Sequence, residues 1–354
     1  MEKNKKVQFT GLSCPLPVTD YKNVLLAHGG GGRLTQQMIR KMFLPQFHNE
    51  LLEPLHDGAV FTLQGARLAF STDSYVVNPV FFPGGDIGEL AVYGTVNDLA
   101  MCGARPLYLS VAFIIEEGFS MEDLWRVVLS MQDAARVAGV QLVTGDTKVV
   151  DRGKGDKLFI NTSGIGIIED GVNISPKQAT VGDAIVLSGS IAVHGIAVMS
   201  VREGLEFDTQ IESDTAPLSD LVQTMLRASR GIHVLRDPTR GGVASSLNEI
   251  AESSKVGISI SEEKIPVTEA VRGACEILGL DPLYVANEGK LLAFVPPKDA
   301  EKVLAAMRAH PLAEDAVIIG QVVAEHPGTV VMRSRIGGSR VVDMLSGEQL
   351  PRIC

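Results

Sequence analysis

The chain reads as an α/β protein of two domains, and three observations predict this. Its 354 residues exceed the usual size of one compact domain of about 150 residues. Stretches with the two-residue period of strands interleave with stretches of helical period along both halves. A turn-forming segment, Glu169-Asp170-Gly171 followed by Ser175-Pro176, separates the two runs.

The elements follow in order. Residues 1–23 carry little periodicity, and Pro15 and Pro17 favour an extended lead. His28-Gly29-Gly30-Gly31-Gly32 then opens a helix predicted over 33–43, followed by strands over 59–63 and 67–72. A longer helix is expected over 86–102, then a strand over 107–115, a helix over 121–138, and strands over 141–144 and 157–168. In the second half, strands are expected over 184–187, 258–260, 291–295 and 316–323, with helices over 191–203, 218–228, 242–253 and 299–309 between them. A polar tail with a short strand closes the chain at Cys354.

Composition excludes several classes. Hydrophobic residues make up 45% and charged residues 21%, and no apolar run reaches the roughly 18 residues needed to cross a bilayer. The first residues do not resemble a signal peptide, so a cytoplasmic protein with no membrane partner is expected. A net charge of −10 without a basic stripe argues against nucleic acid. Cys14, Cys102, Cys275 and Cys354 lie far apart, which predicts reduced thiols rather than a disulfide scaffold. His28, His48, His56, His194 and His233 make no metal-binding pattern.

Several constellations could carry chemistry. The glycines at 29–32 offer closely approachable N–H groups before a helix, an arrangement suited to phosphate, although a glycine run also serves as a plain flexible loop. Asp73 in Ser71-Thr72-Asp73-Ser74 and Asp146 in Val143-Thr144-Gly145-Asp146-Thr147-Lys148 sit where strands end. Asp98 interrupts an apolar stripe of Leu90, Ala91, Gly94 and Met101. A carboxylate on a buried face costs several kcal/mol unless a positive group meets it, so Mg²⁺ shared by the three Asp residues is a candidate, against ordinary capping roles. Lys148 is a possible phosphate contact. Asp237-Pro238-Thr239-Arg240-Gly241-Gly242 delivers another helix N-terminus with two Arg residues at hand, and reads equally as a plain connection. Glu288 precedes an apolar strand as a possible base or a solvated loop residue. The terminal Cys354 has nothing behind it, so its sulfur could enter a narrow pocket.

The stretch from Thr72 to Pro106 resembles the signature of the aminoimidazole ribonucleotide synthetase (PurM-like) superfamily, which also contains selenophosphate synthetase and thiamine monophosphate kinase. HGGGGRL, VTGDTKVV, RDPTRGG, NEGK and the terminal PRIC are similar to its hydrogenase-maturation carbamoyl dehydratase family, and the resemblance spans essentially the whole chain. It implies an N-terminal ATP-binding domain over 1–170 that lends strands to a β-barrel shared across a homodimer. A C-terminal α/β domain over 171–338 and a mobile tail over 339–354 follow. By resemblance, Asp73, Asp98 and Asp146 hold Mg²⁺. Gly30, Gly31, Gly32, Asn97, Thr144, Gly145 and Lys148 place the ATP triphosphate, and Glu288, helped by Lys148, accepts protons.

The implied reaction is ATP-dependent dehydration of a thiocarboxamide on Cys354 to a thiocyanate, which supplies cyanide for the iron of NiFe hydrogenase. A HypF-type carbamoyltransferase would load the cysteine and a HypC–HypD complex would accept the cyanide. Cys14-Pro15 has no following Lys, which disfavours selenophosphate synthesis. The rival expectations are an ATP-dependent kinase or ligase acting on a free small molecule, and a scaffold that only carries a group made elsewhere.

Overall fold

Two sheets organise the molecule, a computed structural model that describes residues 21, 23–204, 211–347 and 353–354. The first sheet has the order β1-β2-β7-β5-β6, built from β1 (Ala59–Leu63), β2 (Ala66–Tyr75), β5 (Ala104–Glu116), β6 (Gln141–Val150) and β7 (Leu158–Ile168). A two-stranded ribbon, β3 (Phe81–Phe82) with β4 (Gly85–Asp86), leads into the central helix α3 (Ile87–Met101). Ahead of the sheet, α1 (Arg33–Met38) runs through a wide π-helical turn at Ile39–Phe43 into α2 (Leu44–Phe47), so the helix predicted to end at Phe43 continues.

Helix α3 begins where it does because the Asp86 side chain accepts from the N–H groups of Gly88 (2.6 Å) and Glu89 (3.1 Å). It is buried almost all round rather than along one stripe, since sheet, second domain and helix α4 (Met121–Ala138) enclose it. Leu90 and Leu99 are fully buried, worth about 1.5–3 kcal/mol each. A Cβ at Gly94 would overlap the Tyr75 hydroxyl. The missing side chain therefore lets β2 press against α3, which brings Asp73 toward Asp98.

The second sheet has the order β14-β13-β10-β12-β8-β11-β9. Its strands are β8 (Ala184–Leu187), β9 (Val234–Arg236), β10 (Gly257–Ser261), β11 (Leu292–Val295), β12 (Val317–Val323), β13 (Val330–Arg333) and β14 (Ser339–Val342). Around it pack α5 (Val193–Arg202), α6 (Ser219–Ala228), α7 (Gly242–Ser254), α8 (Glu269–Leu278) and α9 (Pro297–Arg308). Strands β9 and β13 and helix α8 go beyond the predicted elements, and β6 extends six residues past its predicted end at Thr144. The expected mixed α/β architecture is present, organised on two sheets. Cys102 and Cys275 are free and buried, as is Cys354, while Cys14 lies outside the described residues. No helix among the described residues is long and apolar enough to cross a membrane.

Candidate active site

The site lies where the two sheets meet. Asp57 precedes β1, Asp73 ends β2, Asp98 is on the last turn of α3, and Asp237 follows β9. Single carboxylate oxygens of Asp57, Asp98 and Asp237 lie within 4.8 Å of one another. Ser71 Oγ donates to Asp98 Oδ2 at 2.7 Å, Tyr75 Oη donates to Asp73 Oδ2 at 3.0 Å, and Arg236 pairs with Asp57 and, at 2.9 Å, with Glu249.

Across from this cluster, Glu288 is 4% exposed, and Cys354, at the end of the chain, is 8% exposed. The thiol lies beside the Glu288 carboxyl, whose Oε1 is buried without a hydrogen-bond partner. Arg240 faces both, together with Asp73. Ile353 and Cys354 thus lie inward, in the same buried apolar cluster as Tyr75, Val77, Phe82 and Ile87. Residues 348–352, which include Pro351 and Arg352 of the terminal PRIC, lie outside the described residues.

Segment 211–218 straps Glu288 in place. Asp214 Oδ1 accepts from the Glu288 N–H at 3.2 Å, and Lys290 Nζ lies 3.6 Å from Asp214 Oδ2. The Asn97 amide donates to the Ala216 carbonyl at 3.0 Å and accepts from the Leu218 N–H at 2.7 Å. Asn97, expected to touch the triphosphate, holds this strap with both ends of its amide. A Cβ at Gly289 would collide with the Asp214 carbonyl oxygen. Gly289→Ala is therefore expected to cost about 1–3 kcal/mol of stability, read as a lower denaturation midpoint, and to reduce activity by displacing Glu288.

Like charges packed out of water shift the carboxyls upward. Burial, then Asp73, Asp237 and Asp57, hold Asp98 well above the usual range. Burial, then Asp237, Asp214 and Asp73, do the same for Glu288, opposed by the neighbouring Cys354 thiol. Asp73 is raised chiefly by burial, and Asp237 is pushed to about 7 by burial and then by Asp57. Asp57 goes the other way, because Arg236 and His56 together outweigh its burial. The Cys354 thiol is driven up by burial and then by Glu288.

Such a cluster suits a hard divalent cation. It offers carboxylate oxygens, the donors Mg²⁺ prefers, and Asp57 Oδ2 is buried without a hydrogen bond. Asp237, raised from 3.8 to about 7, favours the protonated form in the metal-free fold. Its contribution to metal-free stability is present below pH 3.8 and is lost as pH rises through about 7. A cation reverses the preference. Mg²⁺ affinity is therefore expected to climb with pH up to about 7 and then level off, with proton release on binding below that pH. Calorimetric titrations in buffers of different ionisation enthalpy measure this directly.

The expected trio of Asp73, Asp98 and Asp146 is not assembled within one chain. Asp146 pairs in register with Ala112, which pairs with Asn161, whereas Asp73 pairs with Thr162. That one-residue offset puts Asp146 on the opposite face of the sheet, three strands and about 14 Å away. There Asp146 is exposed and ion-paired to Lys148 at 2.8 Å. Thr144 and Gly145 lie on the same exposed edge strand. The converging set is Asp57, Asp98 and Asp237 with Asp73 beside it. Asp57 is hidden in the sequence by an unremarkable His-Asp-Gly, though its place just before a strand was a usable signal. Gly31 and Gly32 do approach another backbone closely. Their neighbours are the carbonyls of Arg240 and Leu345, and the Arg33 N–H donates to Leu345 O at 2.8 Å. Gly30 has no such close neighbour.

A buried carboxylate cluster between two such sheets, with a glycine loop beside it, defines a two-domain protein of the AIR synthase related class. Residues 55–168 match the AIR synthase related protein, N-terminal domain, and residues 180–333 match the C-terminal domain. The chain is 56% identical to carbamoyl dehydratase HypE of Cupriavidus necator, over 93% of this chain and 94% of the relative. A HypE in a HypE–HypF complex superposes with a TM-score of 0.83 at 51% identity, covering 87% of this chain and 99% of that one. A HypE in complex with ATP gives 0.79 at 52% identity, over 94% and 100%. The chain belongs to the carbamoyl dehydratase HypE family.

Proposed function

We propose that this protein uses ATP to dehydrate a thiocarboxamide on its own Cys354 to a thiocyanate, providing cyanide for hydrogenase maturation. The observation that carries this reading is the terminal thiol itself. It lies buried against Glu288 and Arg240, beside a carboxylate cluster fit for Mg²⁺. The ATP-bound relative supports nucleotide use. The HypE–HypF complex supports a HypF-type enzyme as the one that loads Cys354, and a HypC–HypD complex remains the proposed acceptor.

An amide oxygen is a very poor leaving group, so it must first be converted into a better one. Transfer of the γ-phosphoryl of ATP to that oxygen gives a phosphorylated imidate after loss of one N–H proton. Loss of the second N–H proton expels phosphate and leaves S–C≡N, so that ATP and thiocarboxamide become ADP, phosphate and thiocyanate. Asp57, Asp98 and Asp237, with Asp73, would hold Mg²⁺, which when bound neutralises charge on the phosphates. Glu288 takes the nitrogen protons, because its buried carboxyl lies beside the sulfur that bears the group and its Oε1 is unpartnered. Arg240 lies where negative charge on the transferring phosphoryl can be met.

Asp146, Lys148, Thr144 and Gly145 enter the same reading through a second copy of the chain. Residues 141–149 of β6 are exposed along an unpaired edge, and Phe70, Tyr108 and Ile114 are exposed on the same sheet. A homodimer whose sheets close into a barrel would cover them, and would offer Asp146 and Lys148 to the nucleotide of the partner. The division into 1–170, 171–338 and a tail from 339 belongs to this proposal, with β14 anchoring the tail's first residues to the second sheet. Val149→Glu on the exposed edge is expected to yield a monomer by sedimentation and to lower ATP-dependent activity in parallel. A dimeric, fully active variant would remove this surface from the proposal.

The reaction itself is tested by mass spectrometry of the C-terminal peptide after carbamoylation, before and after MgATP. Loss of one water from the loaded peptide is the expected result. A mass unchanged through many ATP turnovers would exclude it.

A further inference from the structure

His194 opens helix α5 and is fully buried, a position that a solvent-facing histidine does not need. Its Nε2 lies 2.8 Å from the carbonyl oxygen of Ile353, one residue before the terminal cysteine. A carbonyl can only accept, so Nε2 carries the proton. Burial holds the imidazole below its usual pKa against the opposing pull of Asp214 and the Ile353 contact, so the ring is neutral and Nδ1 is an acceptor. Ser213 Oγ, 2.8 Å from Nδ1, must then donate to it. Ser213 Oγ in turn receives the Thr215 N–H at 3.1 Å and lies 2.6 Å from Thr215 Oγ1. Phe82 packs edge-on against the imidazole with ring centroids 5.5 Å apart. With the Ile353 carbonyl in place, the tautomer and the direction of the Ser213 hydrogen bond are therefore set together.

We infer that His194 is a positioning residue that seats the C-terminal tail, donating from Nε2–H to the Ile353 carbonyl so that the Cys354 sulfur meets Glu288. The contact is to backbone, so it is blind to whether the thiol is bare, carbamoylated or converted. It is also carried on the strap that holds Glu288, since Ser213 is the neighbour of Asp214, which accepts the Glu288 N–H. One short segment thus orients both the base and the hydrogen bond that delivers its substrate. The catalytic consequence depends on the dehydration reading above, whereas the seating of the tail does not.

The test separates the two. In the full-length protein without nucleotide, the rate of Cys354 alkylation measures how often the tail is outward. His194→Ala is expected to raise that rate about three- to tenfold, the effect of losing one hydrogen bond of ordinary net strength. It should slow water loss from the carbamoylated peptide by a similar factor while leaving carbamoyl loading as fast or faster. His194→Gln, which can present an N–H near the same place, should recover part of both effects. Should His194→Ala fail to fold, Ser213→Ala frees the tautomer and is expected to shift alkylation in the same direction. Unchanged alkylation in the folded variants, or equal defects in the Ala and Gln variants, would overturn the seating role. Faster alkylation with no water loss even in the wild-type protein would leave the seating role standing and remove only the reaction.

Discussion

Cys354→Ala is expected to abolish thiocyanate formation altogether while leaving the fold and nucleotide binding in place. The substitution removes one sulfur atom at the very end of the chain, so it opens little cavity and breaks no strand or helix. What it removes is the atom that holds the substrate. A tethered thiocarboxamide replaces a bimolecular encounter with a reaction inside one molecule, and effective molarities for well-oriented groups reach about 10⁵–10⁸ M. No free carbamoyl compound at millimolar concentration can substitute for that. A thermal melt and a nucleotide-binding titration should match the wild-type protein, whereas mass spectrometry should find neither loading nor water loss. An enzyme that phosphorylates a free small molecule would keep its turnover in the same variant, and a passive carrier would show no ATP consumption coupled to thiocyanate in the wild type.

The parts of this picture that were legible in the sequence are those written locally. Helix Met121–Ala138 is bounded by Ser120, which caps it, and Gly139 in the left-handed region, and its predicted and observed limits coincide. Strand β8 was equally plain as a short apolar run. Strand β9 has only three residues, too few for a period to show. Helix α8, by contrast, is amphipathic, with Val271, Ala274 and Cys275 on one buried face and a Thr268 cap, so its signal was in the sequence although the predicted elements omit it. The site divides in the same way. Glu288, Cys354, Asp73 and Asp98 stood out as carboxylates or a thiol in unusual company. Asp57, Asp214 and His194 did not, because their significance comes from what the fold packs against them. His194 in particular read as one of several scattered histidines, and only the arrival of Ile353 gives it a role. Asp146 poses a different problem. A strand-end Asp near a Lys looks like a site residue, yet strand register decides which face it serves, and register is a long-range property.

Glu288→Gln is the sharper test, because charge and shape make opposite demands on it. Glutamine fills the same space and can keep the backbone contact to Asp214, so packing should survive. Glu288 is one of several buried acids, and burial, then Asp237, Asp214 and Asp73, make its ionised form costly. Replacing it by a neutral amide relieves that repulsion, so the melting temperature of the metal-free protein is expected to stay level or rise. The rate of water loss from the carbamoylated peptide should nevertheless fall by about 10²–10⁴, the range for losing a positioned general base. The pH dependence discriminates further. A carboxyl held well above its usual range must lose its proton before it can accept another, so the wild-type rate should increase with pH across the raised pKa. In the glutamine variant that rising limb should flatten, because no carboxyl remains at that position to ionise. A glutamine variant that keeps both the wild-type rate and the rising limb would assign proton removal to another group.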